Sequence, residues 1–386
     1  MIKVGLLLLL LCLAAACGGG GGGSSLPSLP VPVPEPEPDP DPDIKPRPEF
    51  IEQTVLDESV SLNGFPGVTS LLEVNVPSDT ISMTIEGLVA GRSVLIGLED
   101  LVGPAGRVYV EDRFGGDYTY REESEIFSAT VPNTDIPDLG IFSGTYSFRL
   151  YVRSLTVSSI RVRVILERRA GAVNELGQLP LNVWLAQGIS VDAGSAPTDE
   201  RLQDVLDRVF KLLNQSGVEI TRGDIDYYDI ADPDFDQITI SELDDLCEST
   251  SAAVRTRLNV FFVREVFGDG VVGASATISG PKRNGTRNSG VAVDYTGVSF
   301  FRDTDTIGGI AAHEIGHYLG LYHTVESNGT HDIIEDTVNC PAAGTNSDCR
   351  TRGGGLLMHW EYFGAELLTP GQGLVLRSHP IGGSND

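Results

Sequence analysis

The stretch AAHEIGHYLGLYHTV, Ala311–Val325, spaces three histidines in a way that one straight helix cannot use. His313 and His317 are four positions apart, so they share one face of a helix and can bind the same metal ion. His323 is ten positions after His313, and a continuing helix would carry it roughly 15 Å further along the axis. A third metal bond therefore requires the chain to turn back. Gly320 stands where that turn is needed, because glycine adopts a positive φ at little steric cost.

A glutamate completes the pattern. Glu314 directly follows the first histidine and projects beside the face that the two helical histidines share. Its carboxylate can accept a proton from the attacking water without binding the metal itself. Three protein ligands leave a fourth position open, which is typical of a catalytic zinc site and not of a structural one. The sequence therefore predicts Zn²⁺ on His313, His317 and His323, with Glu314 as the general base.

The full string H-E-x-x-H-x-x-G-x-x-H resembles the metzincin zinc metallopeptidases, and GHYLGLYHT is most similar to the pappalysin family among them. The resemblance implies a methionine turn beneath the metal, for which GLLMHW offers Met358. It also implies a closing helix in LLTPGQGLVLRSHP and an acidic loop in HDIIEDTVNC. Pappalysins usually carry a tyrosine two positions after the turn methionine. Trp360 occupies that position here, and Tyr362 is a candidate substitute.

The N-terminal residues have the composition of an export signal and a tether. Lys3, the apolar run Leu6–Leu11 and small residues before Cys17 resemble a bacterial lipoprotein signal over residues 1–16, with Cys17 as the lipidation site. An ordinary secretory signal with an incidental cysteine is the alternative. Residues 17–49 are rich in glycine, proline and acidic residues, which favours an extended linker. We therefore expect an exported lipoprotein at the cell surface or in the outer membrane or periplasm, with the N-terminal lipid as its only membrane contact.

Two folded regions follow this linker. Residues 50–170 contain short segments rich in Val, Ile and aromatic residues, several of which alternate apolar with polar positions, and this pattern predicts an all-β, sandwich-like domain. That region has no histidine or cysteine, and its role is open among substrate binding, spacing and latency. Residues 180–386 mix strand and helix patterns, including a helix expected from about Ile307 to Leu319 with Thr304 or Thr306 as its cap. The predicted fold class is multidomain, with the all-β domain followed by an α/β domain that resembles metzincin zinc peptidases.

The remaining candidate residues lie near the C-terminus. Cys340 and Cys349 bracket a short loop and are a candidate disulfide, while the alternative pairs Cys247 with one of them. Three acidic residues are candidate Ca²⁺ ligands, with a solvated acidic loop as the alternative: Asp332, Glu335 and Asp336. Three further histidines fall outside the spacing and are predicted to be surface or core residues: His331, His359 and His379.

The charge balance narrows the function classes. Lys and Arg total 27 against 54 Asp and Glu, a formal net charge of −27, which argues against a nucleic-acid partner. The predicted function is a zinc-dependent endopeptidase that hydrolyses peptide bonds in extracellular proteins or peptides. One alternative is a surface-anchored binding or adhesin lipoprotein with an inactive peptidase fold. Another is a zinc hydrolase that acts on a different bond.

Overall fold

The computed structural model describes residues 49–89, 94–111, 120, 122–170, 177–250, 256–267, 272–296, 303–326, 331–338, 353–360 and 364–381. These residues belong to one compact unit within residues 47–386. The predicted signal and almost all of the linker lie outside them, as do four singled-out residues: Cys17, Cys340, Cys349 and Tyr362. None of the helices in the described ranges has the length and apolar composition needed to cross a bilayer.

The N-terminal half is built from ten strands: β1 Glu49–Asn63, β2 Gly67–Thr69, β3 Leu72–Val76, β4 Thr80–Leu88, β5 Leu95–Val102, β6 Val108–Val110, β7 Glu123–Ser124, β8 Ile126–Val131, β9 Gly144–Arg153 and β10 Ser159–Ala170. They form one antiparallel sheet in the order β6-β5-β9-β2-β1-β10-β4-β8, with β3 paired to β9 and β7 to β5. This agrees with the all-β prediction, but the strands belong to one curled sheet and not to two separate sheets.

Strand β1 joins the two halves of the curled sheet. Its residues Glu49–Ser61 pair with β10, whereas Leu62 and Asn63 pair with β2. The halves meet around Gly87 of β4, where an added Cβ would lie 3.0 Å from the side chain of Leu150 on β9. The absence of a side chain at residue 87 therefore helps the two faces to approach closely. The core between them is apolar and its largest fully buried members include Met83, Ile85, Ile96, Phe127, Tyr146 and Phe148.

The described part of the C-terminal half has seven strands and four α-helices: β11 Gly177–Leu185, α1 Glu200–Leu213, β12 Ile220–Asp229, β13 Gln237–Thr239, α2 Ile240–Ser249, β14 Leu258–Val263, β15 Glu265–Phe267, β16 Gly273–Ser275, β17 Val291–Asp294, α3 Thr304–Tyr318 and α4 Pro370–Ser378. The main sheet has the order β12-β11-β14-β17-β16, and β13 pairs with β15. The first four strands of the main sheet are parallel and only the edge strand β16 is antiparallel. Strand β11 begins at Gly177, so the predicted start of this region at residue 180 falls inside a strand.

Helix α3 is buried along its length, from Ile307 to Tyr318. It packs against α1 at Gly308, where an added Cβ would lie 2.6 Å from the Cβ of Arg208. The predicted threonine caps are wrong. Asp303 caps the helix, because its carboxylate accepts hydrogen bonds from the backbone N–H of Thr306 at 2.8 Å and from the hydroxyl of the same residue at 2.9 Å.

The β-rich region contacts the loop that follows the third histidine. The hydroxyl of Thr134 donates to the backbone oxygen of Ile333 at 2.7 Å. The backbone N–H of Glu335 donates to the carboxylate of Asp135 at 2.6 Å. Because Thr134 is fully buried, this contact is part of the packed structure and not a surface encounter.

Candidate metal centre

Three imidazole rings converge at the C-terminal end of α3. The Nε2 atom of His317 lies 3.1 Å from Nε2 of His313 and 3.1 Å from Nε2 of His323, and the remaining pair is 3.3 Å apart. Within the described residues, no other group of three or more His, Cys, Asp or Glu side chains brings its candidate ligand atoms this close together. The structure therefore places the three sequence-predicted ligands around one point.

The chain reverses at Gly320, which has a φ of 109°. The backbone N–H of Gly320 donates to the carbonyl of His317, and that of Leu321 donates to the carbonyl of Gly316, each at 2.9 Å. An added Cβ on Gly320 would lie 3.4 Å from Val375, which is an ordinary contact. The backbone conformation, and not lack of space, therefore requires glycine here. The reversal is what returns His323 to the other two rings.

The second nitrogen of each ring faces an oxygen atom. The Nδ1 contacts are His313 to Leu357 O at 2.7 Å, His317 to Leu321 O at 2.7 Å and His323 to Glu326 Oε1 at 3.0 Å. A carbonyl or carboxylate oxygen can only accept, so each Nδ1 carries the proton. The lone pair of each Nε2 then points toward the shared centre, which is the arrangement that metal-binding histidines adopt.

The residues fit a zinc ion. Tetrahedral coordination with Zn–N bonds of about 2.0–2.1 Å puts neighbouring nitrogens about 3.3–3.4 Å apart, and the observed separations of 3.1–3.3 Å are close to this. Burial, and next the neighbouring His323, lower the pKa of His313 to about 3. The neutral ring that results at physiological pH is the form that binds metal.

Glu314 lies on α3 beside the edge strand β16. An added Cβ on Gly273 would be 2.9 Å from its Cγ and 3.0 Å from its Oε1, so the carboxyl group rests against the strand backbone. Burial raises the pKa of Glu314 to about 8, and a hydrogen bond from the backbone of Ser275 opposes this shift. Only 8% of the residue is exposed. The carboxyl group is therefore buried between α3 and the sheet edge.

Met358 is fully buried, and its Sδ packs against α3 at Gly316. An added Cβ on Gly316 would lie 2.5 Å from its Sδ, so a side chain at this point of the helix would require the Met358 side chain to shift. The backbone oxygen of Met358 accepts from the N–H of Thr324 at 2.8 Å, next to the third histidine. Gly316 and the carbonyl of Leu357 were not among the site groups predicted from the sequence. A glycine inside a helix is costly, and this cost was the available indication for Gly316.

The three histidines outside the motif and Trp360 are not members of the triad. His331 is exposed, whereas His359 and His379 are buried, as expected for surface and core residues. The ring of His379 bonds to the backbone oxygen of Gly280 at 2.8 Å. Trp360 is partly buried, and its ring centroid lies 5.9 Å from that of His359.

The acidic loop residues and Cys247 are not part of this centre among the described residues. Asp332 is buried, Glu335 and Asp336 are exposed, and the three do not form a close ligand group among the described residues. The Ca²⁺ prediction therefore receives no support. Cys247 is a free thiol in the core, so the alternative pairing of this residue is not observed.

Comparison with known families agrees with this geometry. Residues 250–357 match the Peptidase_M43 family model, described as pregnancy-associated plasma protein-A. The resemblance to the pappalysin family is confirmed. The pappalysin-like segment contains the three histidines and Glu314, and it ends one residue before Met358.

Two further similarities are partial. An extracellular metalloprotease of Pyricularia oryzae is 36% identical over 100 residues, which cover 24% of this chain and 32% of the relative. The chain thus spans about a third of the length of that relative. A solved structure titled "Structure of a chaperone-substrate complex" gives a TM-score of 0.33 at 17% identity, over 54% of this chain and 35% of that one. A similarity this low supports no conclusion about fold or function.

Proposed function

We propose that the protein is a zinc-dependent endopeptidase. The observation that carries this proposal is the convergence of three Nε2 atoms, each with its Nδ1 partner in place. Three nitrogen donors suit zinc and leave one position for water or substrate. The similarity of residues 250–357 to pappalysin peptidases supports the same chemistry.

The residues of the site divide the work of peptide hydrolysis. Zn²⁺ held by the triad would supply a Lewis acid that polarises the scissile carbonyl and lowers the pKa of water. Glu314 takes the proton of the attacking water and passes it to the leaving amine. The pKa of about 8 in the buried site falls when a positive charge is close by, which makes the carboxylate available as a base. Met358 and Gly316 hold α3 in the position that this proton transfer requires.

An extended peptide suits the edge of the sheet beside Glu314. Strand β16 is the end strand of the main sheet in the described residues, and it pairs with β17 on one side. A peptide that adds as a further strand would receive main-chain hydrogen bonds from β16 and would pass the glutamate. This arrangement favours cleavage within a chain, because residues on both sides of the scissile bond can pair with the strand.

The test is the substitution Glu314→Ala. We expect zinc to remain at about one ion per chain, while chelator-sensitive cleavage of casein falls by on the order of 10²–10⁴-fold. Glu335→Ala is the matched control, since Glu335 is exposed and its carboxylate lies outside the triad. Full casein cleavage by Glu314→Ala would refute the role of this residue. Zinc binding by the native protein without cleavage of varied substrates would favour a binding protein.

The remaining sequence-based predictions stay proposals. We infer export as a surface lipoprotein through Cys17, a disulfide between Cys340 and Cys349, and a division into β-rich and peptidase domains. Export is supported by the similarity to a relative named as an extracellular metalloprotease. The domain division is supported by separate apolar cores among the described residues, one formed within residues 60–166 and two formed from residue 179 onward. Intact-mass measurement of the native protein would test the lipid and the disulfide together.

A further inference from the structure

The ring of the third histidine is held by a different kind of hydrogen-bond acceptor from the other two. His313 and His317 each donate from Nδ1 to a backbone carbonyl at 2.7 Å. His323 donates instead to a side chain, Oε1 of Glu326, at 3.0 Å. Every residue type has a backbone carbonyl, so the acceptors for His313 and His317 would survive a substitution. The acceptor for His323 is present only when residue 326 carries a suitable side chain. The orientation of the third ring therefore rests on a replaceable group.

The ring of His323 is less enclosed by packing than the other two rings, so its orientation depends more strongly on that hydrogen bond. His323 is partly exposed, whereas His313 and His317 are buried within the helix packing. Its neighbour Thr324 is fixed through the backbone bond to Met358 O, so the main chain is anchored while the ring is less enclosed. The carboxylate of Glu326 is itself 27% exposed and stands at the rim of the site.

We infer that Glu326 is a positioning residue that holds the imidazole of His323 toward the metal and raises the affinity of the site for a divalent cation. This inference rests on the proposed zinc function. Two effects contribute. The hydrogen bond keeps the proton on Nδ1, so Nε2 is the available donor. The carboxylate also adds a negative charge next to the three rings, which favours a cation in the centre.

The bridge between Val325 and His331 supports this assignment. It is an isolated antiparallel bridge, and Val325 directly precedes Glu326. The main chain on the N-terminal side of Glu326 is therefore held by a backbone contact. A glutamate on a freely moving segment would lose more conformational entropy on forming the same bond with His323.

The experiment measures the zinc dissociation constant of the full chain by competition with a fluorescent chelator. Glu326→Ala removes both effects and should weaken zinc binding by about 10- to 100-fold, the range found for partners of metal-binding histidines. Glu326→Gln keeps an oxygen acceptor and removes only the charge, so its affinity should lie between those of the native protein and the alanine variant. Glu335→Gln, an exposed glutamate of the following loop, should match the native value.

A second readout separates positioning from general damage. Nitrogen-15 chemical shifts of the His323 ring in the metal-free protein report which nitrogen carries the proton. We expect Nδ1–H in the native protein and in Glu326→Gln, and a mixture of both forms in Glu326→Ala, with an unchanged melting temperature. Native zinc affinity and an unchanged ring signal in Glu326→Ala would overturn the inference and leave the zinc function intact. Absence of zinc binding by the native protein would instead overturn the proposed function.

Discussion

Gly320→Ala tests the turn that brings the third histidine back. The φ of 109° at this position is strained for any residue with a side chain, at a cost on the order of 1–3 kcal/mol. An added Cβ meets Val375 at an ordinary 3.4 Å, so the cost comes from the backbone alone. The metal-free protein can relieve the strain by letting His323 move away, whereas the zinc form must retain it. The strain is then subtracted from the free energy of zinc binding, and the dissociation constant rises by about 5- to 150-fold.

The assay pairs a zinc competition titration with urea denaturation of the metal-free protein. Gly364→Ala is the matched control, because Gly364 has a φ of 78° and no atom within 4 Å of an added Cβ. It should lose stability by a similar mechanism and keep its zinc affinity. If Gly320→Ala binds zinc within about twofold of the native protein, a difference of only about 0.4 kcal/mol, the turn does not control the third histidine and the reasoning fails.

Two further predictions concern packing and pH. Gly316→Ala places a methyl group 2.5 Å from Met358 Sδ and should lower the free energy of unfolding by about 1–3 kcal/mol. In urea denaturation, the double variant with Met358→Ala should lose less stability than the sum of the two single variants. Additive losses would contradict the contact. Burial raises the pKa of Asp332 to about 7 from an ordinary 3.8. The folded state therefore binds this proton more tightly than the unfolded chain, and the stabilisation present below pH 3.8 is lost as the pH rises through 7. Asp332→Asn should raise the melting temperature at pH 8 and leave it unchanged near pH 3; a profile identical to those of the native protein and the Glu335→Gln control would refute this.

The chemistry of the site follows from the sequence because it depends on local periodicity. His313 and His317 share a face at any helical geometry, and a glycine is the residue that permits a reversal before His323. The carbonyl of Leu357, in contrast, could not be predicted from the sequence. Every residue has a carbonyl, so nothing in the sequence distinguishes the one that meets His313, and only the tertiary structure selects it.

Other features depend on competition between neighbouring residues. Asp303, Thr304 and Thr306 can all cap a helix, and the choice of Asp303 followed from hydrogen bonds to both the backbone and the side chain of Thr306. The strand-rich composition of residues 50–170 predicted the secondary structure but not the single curled sheet. Alternation of side chains defines a strand and its faces, while pairing partners are set by contacts far apart in the chain.

The pairing of β1 with β10 has a consequence for how the chain matures. β1 is the first strand of the β-rich region to be synthesised and β10 is the last, yet Glu49–Ser61 find their hydrogen-bonding partners in β10. Until the chain has been synthesised as far as residue 170, those backbone groups lack their full set of native hydrogen-bonding partners. The exposed edge of β1 can then pair with the wrong strand. A chaperone that shields β1 during synthesis should therefore increase the yield of folded protein more than one acting after residue 170 has emerged.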